Sequence, residues 1–146
     1  MKQQVGFFSL QTPKDLLAKL EVDYERLRVV EATSIDSQYA AFDFFVTAWH
    51  MADWVARSTG RTLGTCRTYA DASMVDDLAN GAKHFRVDPN RHATVSATGS
   101  AGAFDPAIFD SAVFAVARLV VDLADGTTVN VLDLAKRVLD HWRQAV

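Results

Sequence analysis

The chain has 146 residues and a mass of 16.1 kDa, with 49% hydrophobic and 23% charged side chains and a formal net charge of -3. That is the balance of one globular domain, able to bury roughly two thirds of its extended surface without a structural metal. Cys66 is the only cysteine, which excludes an intramolecular disulfide and every Cys-x-x-Cys redox or zinc motif and makes a reducing cytoplasm the expected setting.

Residues 1–10 hold one basic side chain and an apolar run too short for a signal-peptide core, so export is not expected. Thr12-Pro13-Lys14-Asp15 reads as a helix start: Thr12 caps, Pro13 suits the first helical position and Asp15 sits where the helix dipole favours negative charge. Leu16, Leu17, Leu20, Tyr24 and Leu27 then recur at helical spacing, giving a first helix from about Pro13 to Arg28.

Ser34 to Ser37 supplies the next capping candidates. Tyr39, Phe42, Phe45, Val46, Trp49 and Ala52 follow at three- and four-residue intervals to about Arg57. Phe44, Met51, Trp54 and Val55 lie off that stripe, so this helix is expected at the centre with neighbours on several sides. Its apolar stretch from Ala40 to Ala56 is interrupted by Asp43, Thr47, His50 and Asp53, well short of the roughly 20 apolar residues that span a bilayer.

Ser58 to Thr65 breaks the period and reads as a connection. A third helix is expected from about Arg67 to Phe85, continuous through Asn80-Gly81 because Ala79, Gly81 and Ala82 form a small-residue surface suited to close helix approach. Beyond the Asp88-Pro89-Asn90 turn signal, His92 to Thr98 is strand-like and Gly99 to Pro106 reads as loop. Alternation from Val113 to Leu123 and again over Thr128 to Val131 predicts an antiparallel hairpin through Asp125-Gly126. Leu132, Ala135, Val138, Leu139 and Trp142 make one face of a closing helix. The expected fold is therefore α+β in one domain: about three helices, a small antiparallel sheet and a C-terminal helix.

Several polar residues are not easily explained by a core. Asp43, Thr47, His50 and Trp54 share one face of the second helix, and Asp77, Asn80 and His84 share one face of the third. If those faces meet, two histidines, two carboxylates and an amide converge, which is the composition either of an acid–base site or of a self-satisfied structural network. His50, Asn80 and His84 are the catalytic candidates; Asp43, Thr47, Trp54, Asp77, Lys83 and Arg86 are the ligand-binding candidates. No His-Glu-x-x-His or similar spacing is present, so no metal ligand and no cofactor is assigned.

Charge is uneven: residues 1–54, 55–92 and 93–146 carry -3, +2 and -2. The basic middle, with Arg57, Arg61, Arg67, Lys83, Arg86 and Arg91, suits a small anion or an RNA backbone, or else the negative ends of helix dipoles. The overall balance does not suit duplex DNA. His92 reads as a loop surface residue, His141 as a rim position and Trp142 as core.

Phe45-Val46-Thr47-Ala48-Trp49-His50 with Asp53-Trp54, and Asp77-Leu78-Ala79-Asn80-Gly81-Ala82-Lys83-His84-Phe85, resemble motifs of a group of small bacterial and mobile-element proteins with no assigned function. The resemblance extends over Leu119 to Trp142 and implies that the two histidine motifs belong together. Asn80 to His84 is also similar to the Asn-x-x-x-His part of the HEPN ribonuclease signature. That resemblance implies metal-independent RNA cleavage with Asn80 and His84 at the site. The signature's arginine position is Ala79 here, so a guanidinium would have to come from Arg57, Arg61 or Arg67.

The sequence thus supports a non-enzymatic interaction or small-ligand-binding domain that self-associates as a homodimer. A HEPN-like ribonuclease or degenerate toxin or defence-system relative is the first alternative. A metal-assisted hydrolase using His50, His84 and one of Asp43, Asp53 or Asp77 is the second.

Overall fold

Regular structure starts at Thr12, in a computed structural model that describes residues 8–83, 90–101 and 118–146. The Thr12 hydroxyl accepts from the Asp15 amide at 3.2 Å, and the Asp15 carboxylate accepts from the amides of Thr12 at 2.8 Å and Gln11 at 3.0 Å. This reciprocal capping box satisfies donors that no helical carbonyl can reach, and α1 (Pro13–Val29) follows from it. Its buried face is Leu16, Leu20, Asp23 and Leu27.

The chain reverses through residues 30–34 into α2 (Ile35–Thr59). Ser34 occupies the N-cap position, yet its hydroxyl donates to the Glu31 carbonyl at 2.6 Å, and the Ser37 hydroxyl donates to the Ser34 carbonyl at 2.7 Å. The serines tie the turn instead of capping the helix, as short hydroxyl side chains do when a backbone carbonyl is nearer. Gly60, at φ 72°, closes α2 in the left-handed conformation that glycine adopts without steric cost, its amide donating to Ala56. Phe44, Ala48 and Met51 are fully buried, and α2 packs on α1, α4, α5 and the short helix α3 (Leu63–Cys66).

The expected connection from Ser58 to Thr65 and helix from Arg67 to Phe85 are corrected here. Thr62 accepts from the Thr65 amide at 3.2 Å and nucleates α3, the chain turns over residues 67–71, and α4 (Ala72–Lys83) starts later than the periodicity predicts. Capping by a threonine two residues ahead of Gly64 outweighs the apolar pattern. Helix α4 does run through Asn80-Gly81, with Ala79 fully buried. Phe85, the expected end, lies outside the described residues.

The sheet has order β1-β2-β3 and is antiparallel throughout, with β1 (Val95–Ala101), β2 (Arg118–Leu123) and β3 (Thr128–Asn130). Gly99, Ser100 and Ala101, expected in a loop, pair with Val120, Leu119 and Arg118. A ladder needs only backbone groups, so small side chains on a sheet edge do not prevent it. The expected strand residues 113–117 and loop residues 102–106 lie outside the described residues. The Asp125-Gly126 turn forms as expected: Gly126 has φ 89°, and the Asp125 carboxylate accepts from the Thr127 amide at 2.9 Å.

Helix α5 (Val131–Ala145) leaves β3 directly, because the Asn130 side chain accepts from the amides of Leu132 at 2.9 Å and Asp133 at 3.2 Å. It buries Leu134, Ala135, Val138, Leu139 and Trp142 against α1, α2 and the sheet. The architecture is α+β with a closing C-terminal helix. No helix among the described residues is long and apolar enough to cross a membrane.

Candidate functional site

Asp43 and Thr47, on the polar stripe of α2, are met by α1. Asp43 pairs with Arg26. Lys19 donates to Asp23 at 2.6 Å and to Thr47 at 2.9 Å, and the Thr47 hydroxyl donates to Asp23 at 3.3 Å. Asp23 and Thr47 are buried, so this network satisfies groups that would otherwise be costly at the α1–α2 contact. The expected convergence of Asp43 and Thr47 with Asp77 and Asn80 is therefore corrected: the charged face of α1 runs antiparallel along the same edge of α2 and claims them. His50 is half-buried and donates from Nδ1 to the Val46 carbonyl at 2.7 Å. Trp54 is half-buried against the core.

Asp77 is buried and faces β1. One carboxylate oxygen accepts from His92 Nδ1 at 3.1 Å, and the other accepts from the amides of Thr94 and Val95 at 2.8 Å each. The side chain of His92 is only 8% exposed, which corrects its reading as a surface residue. The carboxylate supplies the partner that draws this imidazole inward.

The polar face of α4 opens on a cleft of about 460 Å³ lined by Trp49, Arg67, Ala72, Ser73, Asp76, Asn80 and Arg91. The Arg67 guanidinium lies 4.5 Å from the centre of the Trp49 ring and 3.7 Å from the Asp53 carboxylate. The ring face and the carboxylate both favour a cation, so Arg67 is held in place while its buried Nε has no hydrogen-bond partner among the described residues. The Asn80 amide donates to Asp76 Oδ1 and to the Asp76 carbonyl, and His92 Nδ1 stands 3.7 Å from the same carboxylate. The Asp76 carboxylate is thus engaged by the Asn80 amide. Two guanidiniums and the Ser73 hydroxyl remain as donors, a set suited to the oxygens of a small anion.

Of the candidates from sequence, Asn80 lies on the cleft, and Asp77 lies one residue from its Asp76 wall. Asp43, Thr47 and Trp54 do not line it, and Arg57 and Arg61 are exposed away from its walls. His84, Arg86 and the side chain of Lys83 lie outside the described residues. Ser73 and Asp76 were legible in principle, since with Asn80 they recur at i, i+3 and i+7 on α4. Nothing local in the sequence connects His92 to Asp77. Among the described residues no group of three or more His, Cys, Asp or Glu side chains is placed to hold a metal ion. No protein-family model, curated protein or solved structure matches the chain.

Proposed function

We propose that this chain is a binding domain rather than an enzyme, that it holds a small anion in the cleft between α2 and α4, and that it pairs with a second copy of itself. The observation that carries the ligand reading is Arg67, fixed on the Trp49 face and converging with Arg91, Ser73 and Asn80 on one cleft. Trp49 and Asn80 come from the two motifs whose resemblance implies that they belong together, and both line this cleft. Self-association is supported by Ile35, Tyr39 and Phe42, which stand 56%, 55% and 44% exposed at i, i+4 and i+7 on α2. The free thiol of Cys66 supports a cytoplasmic setting.

Calorimetric titration with inorganic phosphate and with a nucleoside monophosphate tests the ligand. Binding weakened about tenfold or more in Arg67→Ala, and unchanged in the exposed Arg57→Ala, is the expected outcome. No heat from either probe, or equal affinity in both variants, overturns the reading.

One observation favours a second reading, a HEPN-like metal-independent ribonuclease with Asn80 positioning the phosphate and His84 as acid–base. Ala79 is fully buried and stands where the signature has arginine, while Arg67 brings a guanidinium to the cleft that Asn80 lines. Cleavage of a labelled RNA that survives chelator and disappears in His84→Ala supports it. Cleavage unchanged in that variant sinks it.

A further inference from the structure

A second cavity, also about 460 Å³, lies on the sheet side of α4 between α2 and β1–β2. Its character is opposite to that of the cleft. Phe42, Phe45, Leu78, Val95, Leu119 and Val121 belong to its apolar wall; of its polar residues Gln38, Ser96 and Thr98 are exposed, while the side chains of Asp77 and His92 are buried. Small-molecule sites are commonly concave, of this size, mainly apolar and fitted with a few polar groups that fix orientation.

The polar groups present define what such a molecule must offer. Asp77 is already committed: Oδ1 to His92, and Oδ2 to the amides of Thr94 and Val95. Because the carboxylate only accepts, His92 Nδ1 carries the proton of that bond. In the neutral imidazole Nε2 is then the acceptor. Asp77 therefore fixes both the ring's orientation and its tautomer, as a carboxylate partner does for an imidazole that must present its other nitrogen to a ligand. The backbone amides in turn fix Asp77, so the acceptor is held by α4 and by the start of β1 together.

We propose that this cavity is a ligand site, distinct from the anion cleft, for a small aromatic or aliphatic molecule bearing a single neutral hydroxyl donor that bonds to His92 Nε2. An anionic head group does not fit: among the described residues the one charged side chain on the wall is the carboxylate of Asp77. A wholly apolar molecule fills the wall but leaves the imidazole acceptor without a donor, which costs affinity when water is displaced from it.

The probes are 4-propylphenol and propylbenzene, alike in shape and different in the hydroxyl. Each is titrated into the full chain and followed by methyl shifts of Leu78, Val95 and Leu119 and by the imidazole nitrogen shifts of His92. The phenol is expected to bind about tenfold more tightly than propylbenzene and to move Nε2 while leaving Nδ1 bonded to Asp77. In His92→Phe the phenol is expected to lose that advantage while propylbenzene still binds, and Ala41→Phe, which fills the cavity wall, is expected to remove both.

Failure of the phenol to shift the three methyl groups overturns the proposal. So does equal affinity for the two probes, or binding that persists in Ala41→Phe. If His92→Phe does not fold, the wild-type Nε2 shift decides alone: an Nε2 signal unmoved at saturation overturns the role of His92. Phosphate binding in the other cleft involves Arg67, which does not line this cavity, so the two readings fail independently.

Discussion

Tyr69 takes its hydroxyl into the interior beside the indole N–H of Trp142, close enough for the indole to pull against the effect of burial, yet neither atom makes a hydrogen bond of good geometry among the described residues. Burial pushes the phenol pKa well above its usual range, so the group stays neutral. A buried hydroxyl without a partner is a net cost, and Tyr69→Phe is expected to raise stability by about 1 kcal/mol, read as a higher denaturation midpoint. A lower midpoint would show that the hydroxyl is bonded after all. His141 stacks on the same ring, with centroids 4.3 Å apart, and burial lowers its pKa from 6.5 against the opposing pull of Asp71. The unfolded chain therefore takes up this proton first as pH falls. The stability contributed by neutral His141 is complete above its unfolded value and is lost as pH falls through the lower folded value. Denaturation at about pH 7.5 and pH 5.5 should show that loss in the wild type and a smaller one in His141→Phe, which keeps the stack but cannot titrate. An identical drop in both would assign the proton elsewhere. The sequence placed Trp142 in the core, on one face with Leu132, Ala135, Val138 and Leu139, and His141 at the rim, where it is half-buried; the stack it makes there was not legible. Stacking on Tyr69 joins residues 72 positions apart, which no local pattern reports.

Helix ends were legible where the capping chemistry is local. Thr12 and Asp15 are within a few residues of the helix start they control, and the expected continuity of α4 through Asn80-Gly81 is found. The start of α4 was not legible, because α3 and the turn after it depend on the Thr62 hydroxyl competing with an apolar repeat that would also suit a longer helix. The beginning of β1 depends on a contact made across the chain. Asp77 receives the Thr94 and Val95 amides and so sets where the strand leaves α4. Asp77→Ala is expected to cost about 3 kcal/mol, because it leaves two backbone donors and an imidazole without their acceptor. Hydrogen exchange separates this from general loosening. The Thr94 and Val95 amides should lose protection first, while Val121, fully buried in the middle strand, keeps it until global unfolding. Equal loss at all three positions would mean that the carboxylate supports the whole domain and not the strand junction.

At the scale of the molecule, the α+β class followed from the change of period after residue 92, whereas the candidate site did not follow from helix faces alone. Two polar stripes of correct helical spacing were found, yet α1 takes Asp43 and Thr47 from the one on α2, and His84 of the other lies outside the described residues. What spacing cannot give is which neighbour each face receives. The same uncertainty applies to side chains left exposed among the described residues, and here the stripe of Ile35, Tyr39 and Phe42, the last at the rim of the apolar cavity, makes a definite prediction. A stripe on one straight helix can pair with its own copy across a two-fold axis, each residue meeting the partner's stripe in reverse order. A net charge of -3 on each copy opposes such pairing only weakly at physiological salt. Sedimentation equilibrium should therefore give twice the 16.1 kDa chain mass, and the melting temperature should rise with protein concentration, since only the folded chain pairs. Tyr39→Glu puts a carboxylate at the centre of that contact and should yield a monomer whose melting temperature does not depend on concentration. A wild type that remains at the chain mass across the concentration range would remove the pairing from the proposed function and leave the phosphate titration unaffected, because none of the three residues lines the anion cleft.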